Sequence, residues 1–423
     1  MQIYIILLLC DTHFVNFVLK TIIMKIGLLR EEKLPADKRV VFTPKQCKNI
    51  KLIYKNLNIV VQSSDKRCFS DHEYTAEGID VVEDLHDCDV LFGVKEVPKS
   101  LLMPNKKYFF FSHTIKEQPY NRALLAKMVD LKIEMIDYEV LKNTKGERLL
   151  GFGRFAGIIG GYNAFLTYGL KSGKFALKPA YKCIDKQEMF DQLNNIILDK
   201  ERFIVTGNGR VGRGIIEIMH KARIRQVLLD EYINQEFDEP VFLHLDTMDY
   251  NERIDGLLSN KQEFYTKPEL YKSSFTKFTK KSDVFIAGHY YATGSPYLFT
   301  KNDALSNDFN LKVIADISCD IDGPIASTLR ASTIENPIYG YHPITQMEVD
   351  YNQDDAIAVM AVSNLPCELP KDASEDFGKS MLEKIIPLLV TKDNDKILES
   401  ATICSNGNLN SKYEYLRGYI SKV

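Results

Sequence analysis

Two doubly wound α/β domains are what the sequence predicts, on three observations. From Met24 onward short apolar runs alternate with stretches of helical period, the mark of α/β architecture. The run Arg202-Phe-Ile-Val-Thr-Gly-Asn-Gly-Arg-Val-Gly-Arg-Gly-Ile-Ile216 joins an apolar strand to a helix through a glycine-rich loop. At 423 residues, 45% apolar and 26% charged, the chain is ordinary in composition and long enough for two cores.

The first 23 residues stand apart. Gln2-Ile-Tyr-Ile-Ile-Leu-Leu-Leu-Cys10 is apolar but too short to span a bilayer, and it lacks the basic n-region of a signal peptide. Met24 precedes a good first strand, so residues 1–23 read as an N-terminal extension. Strands are then expected at 25–29, 57–61, 89–94, 107–111 and 132–136, with helices at 44–55 and 119–130. From Gly153 the pattern turns helical and glycine-rich, which suits a long helix packed closely at a domain junction. Further strands are expected at 203–205, 283–287 and 312–316, and helices at 374–390 and 411–421. The formal charge of −3 gives no electrostatic reason to expect nucleic acid or a membrane as partner. Eight cysteines without a C-x-x-C pair argue against a zinc site and a disulfide framework, and fit a reduced cytoplasm.

Within the loop, Gly207, Gly209 and Gly212 fit G-x-G-x-x-G, the Rossmann-like dinucleotide signature. Gly207 permits a tight turn, Gly209 lets a pyrophosphate approach the backbone, and Gly212 lets helix pack on strand. The diphosphate would rest on the free N–H groups at the helix start. Val227-Leu-Leu-Asp230 reads as a second strand ending in a carboxylate. An acid there accepts hydrogen bonds from a ribose diol and repels a 2′-phosphate, so NAD is the expected cofactor.

Four polar residues stand out between 37 and 153. Lys95 follows the strand Val90-Leu-Phe-Gly-Val94 and His113 follows Tyr108-Phe-Phe-Phe-Ser112, both at the strand ends where α/β sheets hold ligands. Histidine exchanges protons near neutral pH, and lysine does so when desolvation or a neighbouring cation lowers its pKa. Arg39 and Arg148 could each fork a carboxylate. Taken singly, each of the four also fits a solvated strand end or a structural hydrogen-bonder.

The order of the set brings in a resemblance. Lys25-Ile-Gly-Leu-Leu-Arg-Glu-Glu, Arg39 and Thr43-Pro44 resemble the N-terminus of the alanine dehydrogenase, transhydrogenase and saccharopine dehydrogenase superfamily. Gly93-Val-Lys-Glu-Val-Pro98 is similar to its lysine motif. Phe111-Ser-His-Thr-Ile-Lys-Glu-Gln118 is similar to the lysine-forming saccharopine dehydrogenases. Asp137-Tyr-Glu-Val-Leu141 and Gly146-Glu-Arg-Leu-Leu-Gly-Phe-Gly153 agree with that branch and with the lysine-2-oxoglutarate reductase half of fused lysine-degrading enzymes.

The resemblance implies two Rossmann-like domains with an interdomain cleft. The substrate domain would be discontinuous, 24–152 plus 367–423, and the NAD-binding domain 153–366. It implies Lys95 and His113 as an acid–base pair, tuned by Glu139. Arg39, Gln118, Arg148 and Phe152 would meet the substrate. Arg210, Val211 and Asp230 would meet NAD. The reaction implied is NAD-linked oxidation of saccharopine to L-lysine and 2-oxoglutarate. Ala361-Val-Ser-Asn-Leu-Pro366 departs from the family by placing Ser363 where an aspartate often stands beside the nicotinamide. An alanine dehydrogenase, another opine-type dehydrogenase, and a non-catalytic dinucleotide-binding regulator remain alternatives. The expected partner is a small amino-acid substrate, and the expected assembly a monomer or small homo-oligomer.

Overall fold

The computed structural model describes residues 23–34, 37–292 and 294–422, so most of the N-terminal extension lies outside the described residues. Six parallel strands come first: β1 (Met24–Leu28), β2 (Leu57–Gln62), β3 (Asp80–Val82), β4 (Val90–Phe92), β5 (Lys107–Phe110) and β6 (Glu134–Asp137). The middle of the chain supplies β7 (Arg202–Thr206), β8 (Arg225–Val227) and β9 (Val241–Leu245). A two-stranded ribbon, β10 (Asn251–Arg253) with β11 (Tyr271–Ser273), follows. Next come β12 (Val284–Ala287), β13 (Val313–Asp316), β14 (Ile338–His342), β15 (Met347–Val349) and β16 (Ile357–Met360). The chain then returns to the first sheet with β17 (Thr402–Ser405) and β18 (Asn408–Leu409).

These strands make two eight-stranded sheets, ordered β18-β17-β6-β5-β4-β1-β2-β3 and β15-β14-β16-β13-β12-β7-β9-β8. In each, one edge is antiparallel: β17 against β6 and β18 against β17 in the first, β14 against β16 and β15 against β14 in the second. The central strands read as continuous apolar runs because both faces are covered. Phe92 and Phe109 join one core, while Leu91, Tyr108 and Phe110 join the opposite one. Likewise Phe203 and Val205 pack on one face of the second sheet and Ile204 on the other. The long helix Gly153–Ser172 lies against that first face, bringing Phe155, Ile158, Ile159 and Phe165. No helix among the described residues is long and apolar enough to cross a membrane.

Several expected elements need correction. The helix expected at 374–390 is two, Pro370–Lys384 and Ile386–Val390. Pro387 lacks the N–H that would continue the first, and its ring would strike the preceding turn. The last expected helix is mainly a 3₁₀ turn, Ser411–Leu416, with a short α-helix at Arg417–Ile420. The strand expected to end in Asp230 stops at Val227. Asp230 lies in the first turn of the helix Leu229–Asn234, and β8 is the outer strand of the sheet.

Candidate functional site

The C-terminal ends of both sheets face one cleft of about 1110 Å³. Lys95 enters it from the loop after β4, and His113, Lys116 and Gln118 from the loop after β5. Opposite stand Gly207–Val211 after β7, Thr247 after β9, Gly288–Tyr291 after β12, and Ser318 with Asp320 after β13.

On the second sheet the backbone itself shapes the site. Gly207 has φ +97°, a conformation that L side chains rarely adopt. The helix Arg210–Lys221 starts immediately after, with Gly209 as its N-cap and no side chain capping it. Its first N–H groups are therefore available to an anion. A Cβ on Gly209 would meet nothing within 4 Å, whereas one on Gly212 would lie 1.7 Å from the Gly207 carbonyl oxygen. The loop is thus tight behind and open in front, as a dinucleotide pyrophosphate requires. His289 adds a second sign of fit: its Nδ1 is 2.8 Å from the Thr206 hydroxyl, while its buried Nε2 has no hydrogen-bond partner among the described residues. Burial pushes this imidazole down to about 4, so it is neutral at ordinary pH.

The carboxylate expected from Asp230 does not reach the cleft. Asp230 is exposed, accepts from the Asn234 amide at 2.7 Å, and is absent from the cleft lining. β7 is bonded to β12 on one side and to β9 on the other, and Asp246, itself outside the cleft lining, directly follows β9. Asp246 pairs with Lys261 at 2.5 Å and accepts from the Thr247 N–H at 2.6 Å. Burial acts to raise this carboxyl, but the bonds from Lys261, Thr247 and Asn208 hold it below the usual range.

On the first sheet, two carboxyls set the positions of Lys95 and His113. The buried Glu31 accepts the Val94 N–H at 2.5 Å and the Lys95 N–H at 2.9 Å. Burial is the main reason its own carboxyl is pushed up to about 8. Burial likewise lowers the pKa of Lys95, and the nearby Arg39 guanidinium lowers it further. His113 has φ +52°, a left-handed conformation that is uncommon outside glycine. Its neighbours fix that turn, since the Ser112 N–H and hydroxyl both donate to the buried Asp137. His113 Nδ1 donates to Glu96 Oε1 at 2.7 Å, which leaves Nε2 free for proton exchange. Glu96 also accepts from Lys33 at 2.6 Å. Burial would raise Glu96, yet the bonds from His113 and Lys33 hold it at about 2, so it stays ionised.

Glu96 therefore occupies the place beside His113 expected of Glu139. Glu139 lies 3.6 Å from Lys116, and its charge acts on Arg148. Arg39 is buried and already forked: Nε and a terminal nitrogen bond the two oxygens of Asp37 at 2.9 and 2.5 Å. Its guanidinium also lies 4.1 Å from the centre of the Phe152 ring, which stacks on Phe377 at 4.6 Å. Arg148 reaches over Phe111 at 5.6 Å. Arg210 rests against Gly151 and Gly153 on the cleft floor. Ser363 is exposed and outside the lining, to which its neighbour Asn364 belongs. The cleft thus gathers Arg39, Lys95, His113, Gln118, Arg148, Phe152, Gly207, Gly209, Arg210 and Val211 from the expected set. Glu139, Gly212, Asp230 and Ser363 are not among its lining residues.

Residues 27–159 match the family described as alanine dehydrogenase/PNT, N-terminal domain. The chain is 28% identical over 445 residues to the mitochondrial alpha-aminoadipic semialdehyde synthase of Mus musculus, a match covering 92% of this chain and 47% of that protein. It thus spans about half the length of such synthases. It is 22% identical over 392 residues to the saccharopine dehydrogenase (NAD+, L-lysine-forming) of Candida albicans, covering 85% of this chain and 91% of that one. Among solved structures an L-alanine dehydrogenase superimposes with TM-score 0.61 at 15% identity, over 94% of this chain and 99% of that chain. A transhydrogenase from Sinorhizobium meliloti gives 0.56 at 14%, over 91% and 98%. These two show the shared fold: two Rossmann-like α/β units.

Proposed function

We propose that this chain is a nicotinamide-dinucleotide oxidoreductase acting on an amino acid with a secondary amine: saccharopine, NAD and water against L-lysine, 2-oxoglutarate, NADH and a proton. Residues 24–152 with 367–423 would form its substrate half, and 153–366 its dinucleotide half. The observation that carries this reading is the convergence of Lys95 and His113 on the Gly207–Val211 loop across one cleft. The names of the relatives support the same substrate class.

A bound nicotinamide supplies the hydride acceptor. The first helical turn after Gly209 would hold the pyrophosphate, with His289 Nε2 donating to a cofactor oxygen near it. Hydride loss from the carbon beside the amine gives an imine. Lys95, made less basic than an ordinary lysine, takes a proton from the water that adds to the imine carbon. His113, backed by ionised Glu96, gives a proton from Nε2 to the departing amine. Arg148 and the outer edge of Arg39 would hold substrate carboxylates.

Oxidation of NADH, followed by its absorbance, in the presence of 2-oxoglutarate and lysine tests the reading. Turnover with lysine is expected to exceed turnover with ammonia and pyruvate. The occupation of Arg39 by Asp37 favours a second reading, a substrate with one carboxylate such as alanine, and faster turnover with ammonia and pyruvate selects it.

The cofactor preference falls to Asp246. Placed at the end of the strand next to β7, it would accept the ribose hydroxyls and disfavour a 2′-phosphate. Asp246→Ala is expected to raise the KM for NAD by about 10-fold or more, the size of one lost charge-assisted bond, and to narrow discrimination against NADP. An unchanged NAD/NADP ratio removes Asp246 from this role.

A further inference from the structure

The charges lining the cleft are lopsided. Six cationic side chains face it: Arg39, Lys95, Lys116, Arg148, Arg210 and Lys261. Among the described lining residues Asp320 is the one carboxylate. Such a space suits carboxylates and a diphosphate well, but offers an ammonium group a single favourable place.

That place is built. Asp320 belongs to the loop after β13, which folds around the buried carboxylate of Asp316. Asp316 accepts the Ser318 N–H at 3.0 Å, the Ser318 hydroxyl at 2.7 Å, the Cys319 N–H at 3.3 Å and the Thr328 hydroxyl at 2.7 Å. Cys319, with φ +56°, turns the backbone just before Asp320, and the Gly323 N–H donates to the Asp320 carbonyl at 3.1 Å. The side chain is half-buried and within electrostatic reach of Lys116 on the opposite sheet. Asp320 and Tyr291 also line a smaller cavity of about 450 Å³ that opens off the cleft, with Tyr297 alongside. The Tyr291 and Tyr297 rings lie 6.3 Å apart. A carboxylate beside aromatic rings is a chemistry that recognises ammonium ions.

We propose that Asp320 receives the α-ammonium group of the amino-acid substrate and so determines specificity for the amine partner. The inference rests on the reading above, in which lysine offers its ε-amine for imine formation and keeps its α-ammonium and α-carboxylate intact. The side cavity holds that end of the substrate, while the reacting nitrogen lies towards Lys95 and His113. Burial raises the Asp320 carboxyl above its ordinary range, and the Ser318 hydroxyl and Lys116 offset only part of this.

The test compares L-lysine with 6-aminohexanoate, which has the same ε-amine and carboxylate but no α-ammonium. With NADH and 2-oxoglutarate, the whole protein is expected to favour lysine in kcat/KM by about 10- to 100-fold, the range for one charge-assisted bond. Asp320→Asn is expected to lose that preference. Its kcat/KM for 6-aminohexanoate and its KM values for NADH and 2-oxoglutarate should stay within about twofold. The inference is overturned if Asp320→Asn still prefers lysine. It is equally overturned if all substrates and the cofactor weaken together, the result of a purely structural Lys116–Asp320 contact. If the wild type turns over neither amine, the functional reading falls. Calorimetric titration of both proteins with lysine and with 6-aminohexanoate then decides the Asp320 assignment separately, and equal lysine affinities overturn it.

Discussion

His113→Ala lowers turnover by about 10²–10⁴, the range for a lost acid–base group, while NADH affinity stays near its original value. The split follows from the architecture, because the histidine stands after β5 of the first sheet and the glycine loop after β7 of the second. Lys95→Met, which keeps side-chain length and removes the proton carrier, is expected to fall in the same range. Burial and Arg39 lower Lys95, so in the NADH-oxidising direction, where Lys95 must carry the proton it returns, activity should fall with rising pH below the ordinary lysine range, and Lys95→Met should remove that limb. Wild-type turnover in both variants would reduce these residues to ordinary strand ends. Loss of NADH binding along with activity would instead make them structural.

Gly212→Ala should damage the fold and the dinucleotide site together. Its Cβ would lie 1.7 Å from the Gly207 carbonyl oxygen and 2.7 Å from the carbonyl carbon, both backbone atoms that cannot rotate away. Overpacking of this kind costs about 1–3 kcal/mol, a fall in Tm of several degrees, and displaces the loop from the helix N-terminus. Gly209→Ala is the contrasting case, since its Cβ meets nothing within 4 Å. That variant should keep its Tm and lose affinity for the cofactor, whose pyrophosphate needs the same space. Equal Tm and equal NADH affinity in wild type and Gly212→Ala would show that the loop has slack which the geometry does not suggest.

Local pattern made part of this legible. The runs around Phe203, Val284 and Val313 are apolar without alternation, so buried parallel strands could be read directly, and Lys95 and His113 followed as strand-end residues. Sheet order was not legible, because chain order does not reveal that β9 rather than β8 pairs with β7. The sequence therefore points to Asp230, whereas the residue that follows the strand beside β7 is Asp246. Two near neighbours were passed over although short-range signals existed. Asp37, two residues before Arg39, closes on its guanidinium, and Glu96, adjacent to Lys95, reaches back to His113. The β17–β18 hairpin had its own signal in Asn406-Gly407, whose φ values of +48° and +81° suit a two-residue turn. Ser363 was placed by family pattern alone, and one residue of difference puts Asn364 rather than Ser363 on the cleft.

The return of the chain to its first sheet bears on the order of events at the ribosome. Every strand of the second sheet has been synthesised by Met360, but β6 waits for β17, which starts at Thr402. Until then the nascent N-terminal half carries an unpaired strand flank, able to stick to another polypeptide. The half made first is thus completed last, and its final closure joins residues far apart in sequence, a slow kind of event. A protein ending before Thr402 is expected to self-associate, as light scattering would report. A monodisperse product would mean that β6 is protected by something other than its late-arriving neighbour.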